Sequence, residues 1–108
     1  SPDGSKIALL SNRDCYYEIY VANIDGQDLE NTRLTNNSVS DSYPSWSPDG
    51  SKIAFDSGRD GDWARGASWH GDLDIYVMNS DGSEQTRLTH QAVGARHTAD
   101  YYPSWSPD

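Results

Sequence analysis

The chain has 108 residues, of which 34% are apolar, with a formal net charge of -9 at pH 7 and a mean hydropathy of -0.85. This acidity argues against a nucleic-acid partner, because phosphate binding requires clustered Lys and Arg. No apolar run approaches the length of a membrane span, and the single cysteine, Cys15, excludes an intrachain disulfide and a cysteine-based zinc site.

An internal repeat organises the sequence. Residues 1–8 return unchanged as residues 47–54, and Ser106-Pro107-Asp108 begins a third copy. Further landmarks recur in the same order, such as Ile-Tyr-Val, Asp-Gly, Thr-Arg-Leu-Thr and Tyr-Pro-Ser-Trp. We therefore divide the chain into repeat 1 (about 1–46), repeat 2 (about 47–105) and the start of a third copy (106–108).

Four short runs rich in Ile, Val, Tyr and Trp recur within each repeat and predict four antiparallel strands, named A to D. In chain order they are B 6–11, C 18–23 and D 32–35, then A 43–47, B 52–57, C 74–79 and D 86–89, and a last A at 102–106. Ser-Pro-Asp-Gly joins A to B, and Asp-Gly joins C to D, as expected for tight turns. Tandem four-stranded units predict an all-β fold of β-propeller blades, about two of them, in the order BCD-ABCD-A.

These motifs resemble the TolB-type propeller family, whose repeats carry Ser-Pro-Asp-Gly, Lys-Ile-Ala-Phe, Arg-Asp-Gly, Ile-Tyr-Val-Met-Asn, Arg-Leu-Thr and Pro-Ser-Trp-Ser. The second repeat fits closely, and the first departs at Leu9, Cys15 and Ala22. The resemblance implies a non-catalytic module that binds proteins or serves as an assembly scaffold, in a periplasmic or secreted location. The alternative that it implies is the regulatory or gating propeller of a larger peptidase or hydrolase.

Two insertions distinguish the second repeat from the first, in the B–C loop (61–72) and the D–A loop (90–98). Alternate connections of an up-and-down sheet lie at the same end, so we expect both insertions on one face. Loops on a rigid scaffold concentrate function, and Trp, Arg and His suit recognition surfaces. The predicted partner-binding residues, most suited to a protein or peptide, are Trp63, Arg65, Trp69, His70, His90, Arg96 and His97. A glycan ligand and loops that only cover the blade remain open alternatives.

Catalytic and metal-binding patterns are weak, and we predict no enzyme, no cofactor and no metal site. Ser68 lies in an incomplete nucleophile elbow without a strand-turn-helix context. His70, His90 and His97 lack ligand spacing, and the paired carboxylates at 60–62 and 72–74 do not match a calcium loop, although a calcium clamp at the neck of the insertion remains open.

The other basic residues recur in both repeats, as Lys6 and Lys52 or Arg33 and Arg87 do, so we assign them to blade architecture. We expect Cys15 to be a small buried residue. Because the last A strand lacks its own B, C and D, we also expect head-to-tail homo-oligomers that close a ring, most simply a trimer with six blades.

Overall fold

The structure is a computed structural model, and it describes residues 1–26, 32–60, 73–90 and 99–107. Its strands are β1 (Lys6–Asp14), β2 (Tyr16–Asn23), β3 (Asp41–Trp46), β4 (Lys52–Ser57), β5 (Asp74–Asn79) and β6 (Thr86–Arg87). They form two antiparallel sheets, β1-β2 and β3-β4-β5-β6. The described ranges contain no helix, hence none that could span a membrane, and the all-β prediction is confirmed.

The second sheet is a complete up-and-down blade, in which β3 to β6 correspond to predicted strands A to D. The first sheet contains strands B and C, and its strand D is reduced to one bridge between Tyr20 and Arg33. The last A segment, 102–106, forms no ladder with the described residues.

The B–C hairpins of the two blades share one register. β1 pairs with β2 from Lys6↔Asn23 onward, and β4 pairs with β5 from Lys52↔Asn79 onward, residue for residue over the matching stretch. In both hairpins the lysine Nζ donates to the asparagine Oδ1, at 2.8 and 2.9 Å. This identity lets each residue of the first sheet be compared directly with its counterpart in the second.

The A–B turns are built by the aspartate of Ser-Pro-Asp-Gly. Asp49 Oδ1 accepts hydrogen bonds from Ser47 Oγ at 2.7 Å and from the Ser51 amide at 3.0 Å. Gly50 completes the turn at φ 74°, a left-handed conformation that glycine adopts without steric cost. Asp3 makes the same contacts in the first copy of the turn, so the repeated sequence has the same turn geometry in both copies.

The hydrophobic core lies between the two sheets. Its buried members are Ile19 and Val21 from the first sheet and Ile53, Phe55, Tyr76 and Met78 from the second. Side chains alternate between the faces of a strand, so each blade presents one face to its neighbour and the other face outward. Among the described residues, the buried apolar cluster thus lies where the two blades stack.

The two outer faces expose residues whose repeat counterparts lie in this core. Ile7 is 47% exposed, whereas its counterpart Ile53 is 0% exposed. Leu88 is 56% exposed, whereas its counterpart Leu34 packs against the core. Both open faces thus have the composition of a blade-to-blade contact.

Candidate functional site

Buried ion pairs hold the end of each blade where strands B and C are joined. Arg33 Nη2 donates to Glu18 Oε1 at 2.8 Å, and Arg87 Nη2 donates to Asp74 Oδ2 at 2.7 Å. Both carboxylates are buried, and a threonine hydroxyl, Thr35 or Thr89, donates to each of them. These contacts agree with the assignment of the repeated arginines to blade architecture.

A tyrosine hydroxyl donates a hydrogen bond to the aspartate at the start of each B–C connection. Tyr20 donates its hydroxyl to Asp14 Oδ2 at 2.6 Å, and Tyr76 makes the same bond to Asp60. Burial, followed by the adjacent carboxylate, raises the pKa of both tyrosines. Both phenols therefore stay neutral donors near neutral pH, and they fix the carboxylates from which the connections depart.

Arg59 ties the neck of the second B–C connection to the rest of the blade. Its guanidinium donates to Asp41 Oδ2 at 2.8 Å and to Gln85 Oε1 at 2.6 Å, and lies 4.7 Å from the Tyr76 ring centroid. Gln85 Nε2 in turn donates to the Leu34 carbonyl at 3.0 Å. The base of this loop is thus bonded to strands A and D and to the neighbouring blade.

The predicted partner-binding residues fall mostly outside the described part of the chain. Of these residues, only His90 is described, and it is exposed just after the predicted strand D. Those outside are Trp63, Arg65, Trp69, His70, Arg96 and His97. Ser68 and most of the candidate calcium clamp also lie outside.

The described ends of the candidate calcium clamp already have protein partners. Asp60 accepts from Tyr76, and Asp74 accepts from Arg87 and Thr89. Among the residues that the structure describes, no three His, Cys, Asp or Glu side chains come together as a ligand set for a metal ion.

The two inserted connections leave the blade at one end. The Asp100 amide, after the D–A connection, donates to the Leu73 carbonyl, after the B–C connection, at 2.8 Å. The β3-β4-β5 register agrees, since Asp41, Ser57 and Asp74 lie side by side. We call this end of the blades the loop end.

Five exposed tyrosines lie at the loop end, on the first B–C hairpin and at the start of the A segments. Their exposed fractions run from 44% to 60%, and they are Tyr16, Tyr17, Tyr43, Tyr101 and Tyr102. Aromatic side chains that bury a ring and offer a hydroxyl are typical of binding surfaces. The sequence pattern did not reveal this group, since Tyr43 and Tyr102 belong to Tyr-Pro-Ser-Trp, a motif that predicts a strand.

Three of these tyrosines form a cluster. The rings of Tyr43 and Tyr102 lie 4.1 Å apart between centroids, with 3.2 Å between the hydroxyl oxygens. Tyr101 meets Tyr102 edge-on at 4.9 Å. Tyr43 and Tyr102 also have positive φ, 51° and 60°, a region that non-glycine residues rarely adopt. This uncommon backbone occurs at equivalent positions of both copies.

Cys15 corrects one expectation, because it is exposed rather than buried. It occupies the B–C turn of the first blade at φ 87°, and its amide donates to the Asn12 carbonyl at 3.1 Å. A residue at the tip of a hairpin turn has no sheet face to pack against.

The opposite end carries clefts between successive A–B turns. A cavity of about 260 Å³ lies between the first turn and Trp46, and one of about 330 Å³ lies between the second turn and Trp105. The turns of adjacent repeats are spaced far enough apart to leave these clefts.

Asp56 is a buried acid without a side-chain partner among the described residues. It is 1% exposed, and neither carboxylate oxygen accepts a hydrogen bond of normal geometry from them. Burial, with a further contribution from the Asp41 carboxylate, raises the pKa of Asp56 to about 6. Its counterpart in the first blade is Leu10, so an ionisable group replaces an apolar one at this site in the second blade.

Comparison with known proteins agrees with this architecture. The family model of the TolB beta propeller domain matches residues 1–65. A TolB homolog of Chlorobium luteolum is 37% identical over 97% of this chain and 30% of that protein. An uncharacterized peptidase of Bacillus subtilis, YuxL, is 30% identical over 100% of this chain and 15% of its own length.

A solved structure shares the fold. A protein from Agrobacterium tumefaciens described as TolB matches with a TM-score of 0.77 and 33% identity, over 99% of this chain and 32% of that one. The chain thus spans about a third of the length of its relatives, or less. The repeated strands, their shared register and these relatives show that the chain belongs to the TolB-type β-propeller repeat family.

Proposed function

We propose that this chain is a non-catalytic propeller module that binds a protein or peptide at its loop end. The observation that carries the proposal is the concentration of the exposed tyrosines there, with three of them in mutual contact. Large amphipathic rings contribute contact area at a small cost in side-chain entropy. Asp60, Leu73, His90 and Asp100, which flank the inserted segments 61–72 and 90–98 of the sequence analysis, lie at the same end.

The framework under the loop end suits a binding role. Glu18, on the strand that carries Tyr16 and Tyr17, and Asp74 at the start of β5 are held by arginine and threonine donors, so this end of the blades is fixed before a partner arrives. A preorganised surface loses less entropy on binding.

The acidity of the chain indicates the charge of the partner. With a formal net charge of -9, the module attracts cationic surfaces and repels nucleic acid. A peptide that combines basic and aromatic or proline residues fits exposed tyrosines, because a cation can stack on a tyrosine ring. A glycan can stack on the tyrosine rings, but an uncharged glycan gains nothing from the negative charge of the chain.

The proposal is tested by selecting peptides from a random library and measuring their affinity for variants. Tyr101→Ala and Tyr102→Ala should each weaken binding by about fivefold or more, as expected of hot spots. Ile24→Ala is the matched control, since Ile24 is 62% exposed but follows β2 at the opposite end. Equal losses for the control, or none for the tyrosines, would exclude the loop end.

A second candidate function is favoured by the similarity to the Bacillus subtilis peptidase. There the module would be the regulatory or gating propeller of a larger hydrolase. The test uses the full-length natural protein: deletion of this region from a hydrolase should admit large folded substrates while hydrolysis of short peptides persists. A full-length protein without hydrolase activity favours the first function.

We further propose that isolated chains assemble head to tail into a ring, with three copies supplying six blades, in a periplasmic or secreted setting. Support comes from the two open faces, which expose Ile7 and Leu88 where their counterparts are covered. Light scattering tests it: a folded monomer near 12 kDa would contradict ring assembly.

A further inference from the structure

Asp56 lies close to the tyrosine cluster of the loop end, which consists of Tyr43, Tyr101 and Tyr102. It pairs with Ser42 in the β3-β4 ladder, one residue before Tyr43. The negative charge of Asp56 also reaches the cluster. The pKa of Tyr102 is raised first by its hydrogen bond to Tyr43 and in smaller part by the Asp56 carboxylate. The buried acid and the exposed rings therefore belong to one electrostatic site.

The Asp56 carboxylate lacks a balancing donor among the described residues. At 1% exposure it is enclosed by this chain, yet neither of its oxygens accepts a hydrogen bond of normal geometry. Asp41 differs, because the Arg59 guanidinium donates to its Oδ2 at 2.8 Å. Burial raises the pKa of Asp56 to about 6, so at neutral pH the chain holds a buried negative charge that a nearby cation would stabilise.

The charged groups on the neighbouring strands do not neutralise Asp56. On β5 its partner in the ladder is the apolar Ile75, and the adjacent Asp74 is already paired with Arg87 at 2.7 Å. On the last A segment, the exposed Asp100 directly precedes the tyrosines and adds a second negative charge. The surroundings of the cluster are thus suited to a cation.

The rings of the cluster are open to such a cation. Two buried tyrosines of the blades already stack with arginines, since the Arg13 guanidinium lies 4.5 Å from the Tyr20 centroid and that of Arg59 lies 4.7 Å from the Tyr76 centroid. The cluster tyrosines are instead 44% to 60% exposed, so ring surface is available to a group from outside. A planar guanidinium stacks well on a tyrosine ring, and a nearby negative charge adds to the attraction.

We infer that the tyrosine cluster binds a guanidinium group, that of an arginine side chain in the partner, and that the negative charge of Asp56 strengthens this binding. The inference rests on the proposed function, because it names the group of the partner that the loop end recognises. A bound cation favours the ionised form of Asp56. By linkage, the affinity for the cation therefore rises as the pH rises through about 6 and falls below it.

NMR titration of the unaltered chain tests the inference with two small probes. One is the amide of Nα-acetyl-arginine, and the other is the amide of Nα-acetyl-citrulline, which has the same shape without the charge. The ring signals of the cluster report binding at pH 5.0 and pH 7.5 at equal ionic strength. If the bound cation lowers the pKa of Asp56 by about one unit, the arginine probe binds about fivefold more tightly at the higher pH. The citrulline probe should show no such difference.

Variants of the acid identify the group that titrates. Asp56→Asn keeps the size of the side chain and removes its charge, so it should bind the arginine probe at both pH values no more tightly than the parent does at pH 5.0. Asp56→Leu, which restores the residue of the first repeat, should behave in the same way and guards against a folding defect in one variant. His90→Gln is the control for histidine titration at this end, and it should retain the pH dependence.

A pH dependence that persists in both Asp56 variants would overturn the inference. So would equal binding of the two probes, or binding of the arginine probe that leaves the rings of Tyr43, Tyr101 and Tyr102 unshifted. The proposed function is judged separately. Selected peptides that bind through the tyrosines but contain no arginine support it and contradict the inference. Selected peptides whose binding is indifferent to the tyrosine variants contradict the proposed function, whatever the arginine probe does.

Discussion

At some equivalent positions the two repeats carry residues of different chemistry. Asp56 is the clearest case, because a buried carboxylate without hydrogen bonds is costly unless it takes up a proton. Its position could be predicted from the repeat, in which Asp56 is the counterpart of Leu10, a residue that is 37% exposed. Its lack of a partner could not, because that depends on which atoms the neighbouring strands bring close.

Asp56 makes stability depend on pH. Its pKa is about 6 in the folded chain against an ordinary value of 3.8, so the folded state holds the proton more tightly. The contribution of Asp56 to the free energy of unfolding is therefore fully present below about pH 4, and it is lost as the pH rises through about 6.

The variant Asp56→Leu, which restores the residue of the first repeat, should gain stability over the parent as pH rises. We expect an additional gain on the order of 1 to 2 kcal/mol at pH 7.5 relative to pH 4.5. Urea denaturation at both pH values measures it, with Asp56→Asn as the control for side-chain size. A difference between parent and variants that does not change with pH would contradict this account.

The strands show how far sequence pattern determines elements. β4 and β5 have the predicted bounds, since their alternating side chains and flanking turns leave one register. β3 instead begins at Asp41, because the shift between Ser42 and Ser45 extends pairing past Pro44. Strand D of the second blade is shortened to β6, because only Thr86 and Arg87 pair with β5. Local pattern predicts the central strands well, and edge strands depend on contacts that it does not encode.

The C–D turns give a prediction at the same scale. Gly26 and Gly82 both have positive φ, 74° and 89°, so Ala strains either turn. Only at Gly82 would an added Cβ meet the neighbouring blade, 2.9 Å from the Leu34 carbonyl oxygen; at Gly26 the space is open. Gly82→Ala should therefore lower the melting temperature more than Gly26→Ala in thermal denaturation. Equal effects would show that the turn does not contact the first blade.

At the scale of the whole molecule, the sequence repeat predicted the propeller architecture and the loop end. It did not predict the tyrosine cluster, because the left-handed backbone at Tyr43 and Tyr102 turns residues that pattern assigns to a strand. Nor did it predict the clefts between the A–B turns, which depend on how far apart successive repeats stand.

The prediction that the chain has no catalytic activity belongs to this scale. We expect the purified chain to show no esterase, peptidase or glycosidase turnover, because propeller blades supply surfaces and the sequence offers no nucleophile, base and orienting group at usable spacing. A broad substrate screen measures this. Turnover that disappears in Ser68→Ala or His70→Ala would establish an active site in the chain.

The central claim is that the loop end is the contact surface, and NMR mapping of the unaltered chain with a selected peptide tests it most directly. The account predicts shifts at Tyr16, Tyr17, Tyr43, His90, Tyr101 and Tyr102 on titration. Shifts confined to the A–B turns and to Gly26 and Gly82, with the tyrosines unchanged, would contradict it.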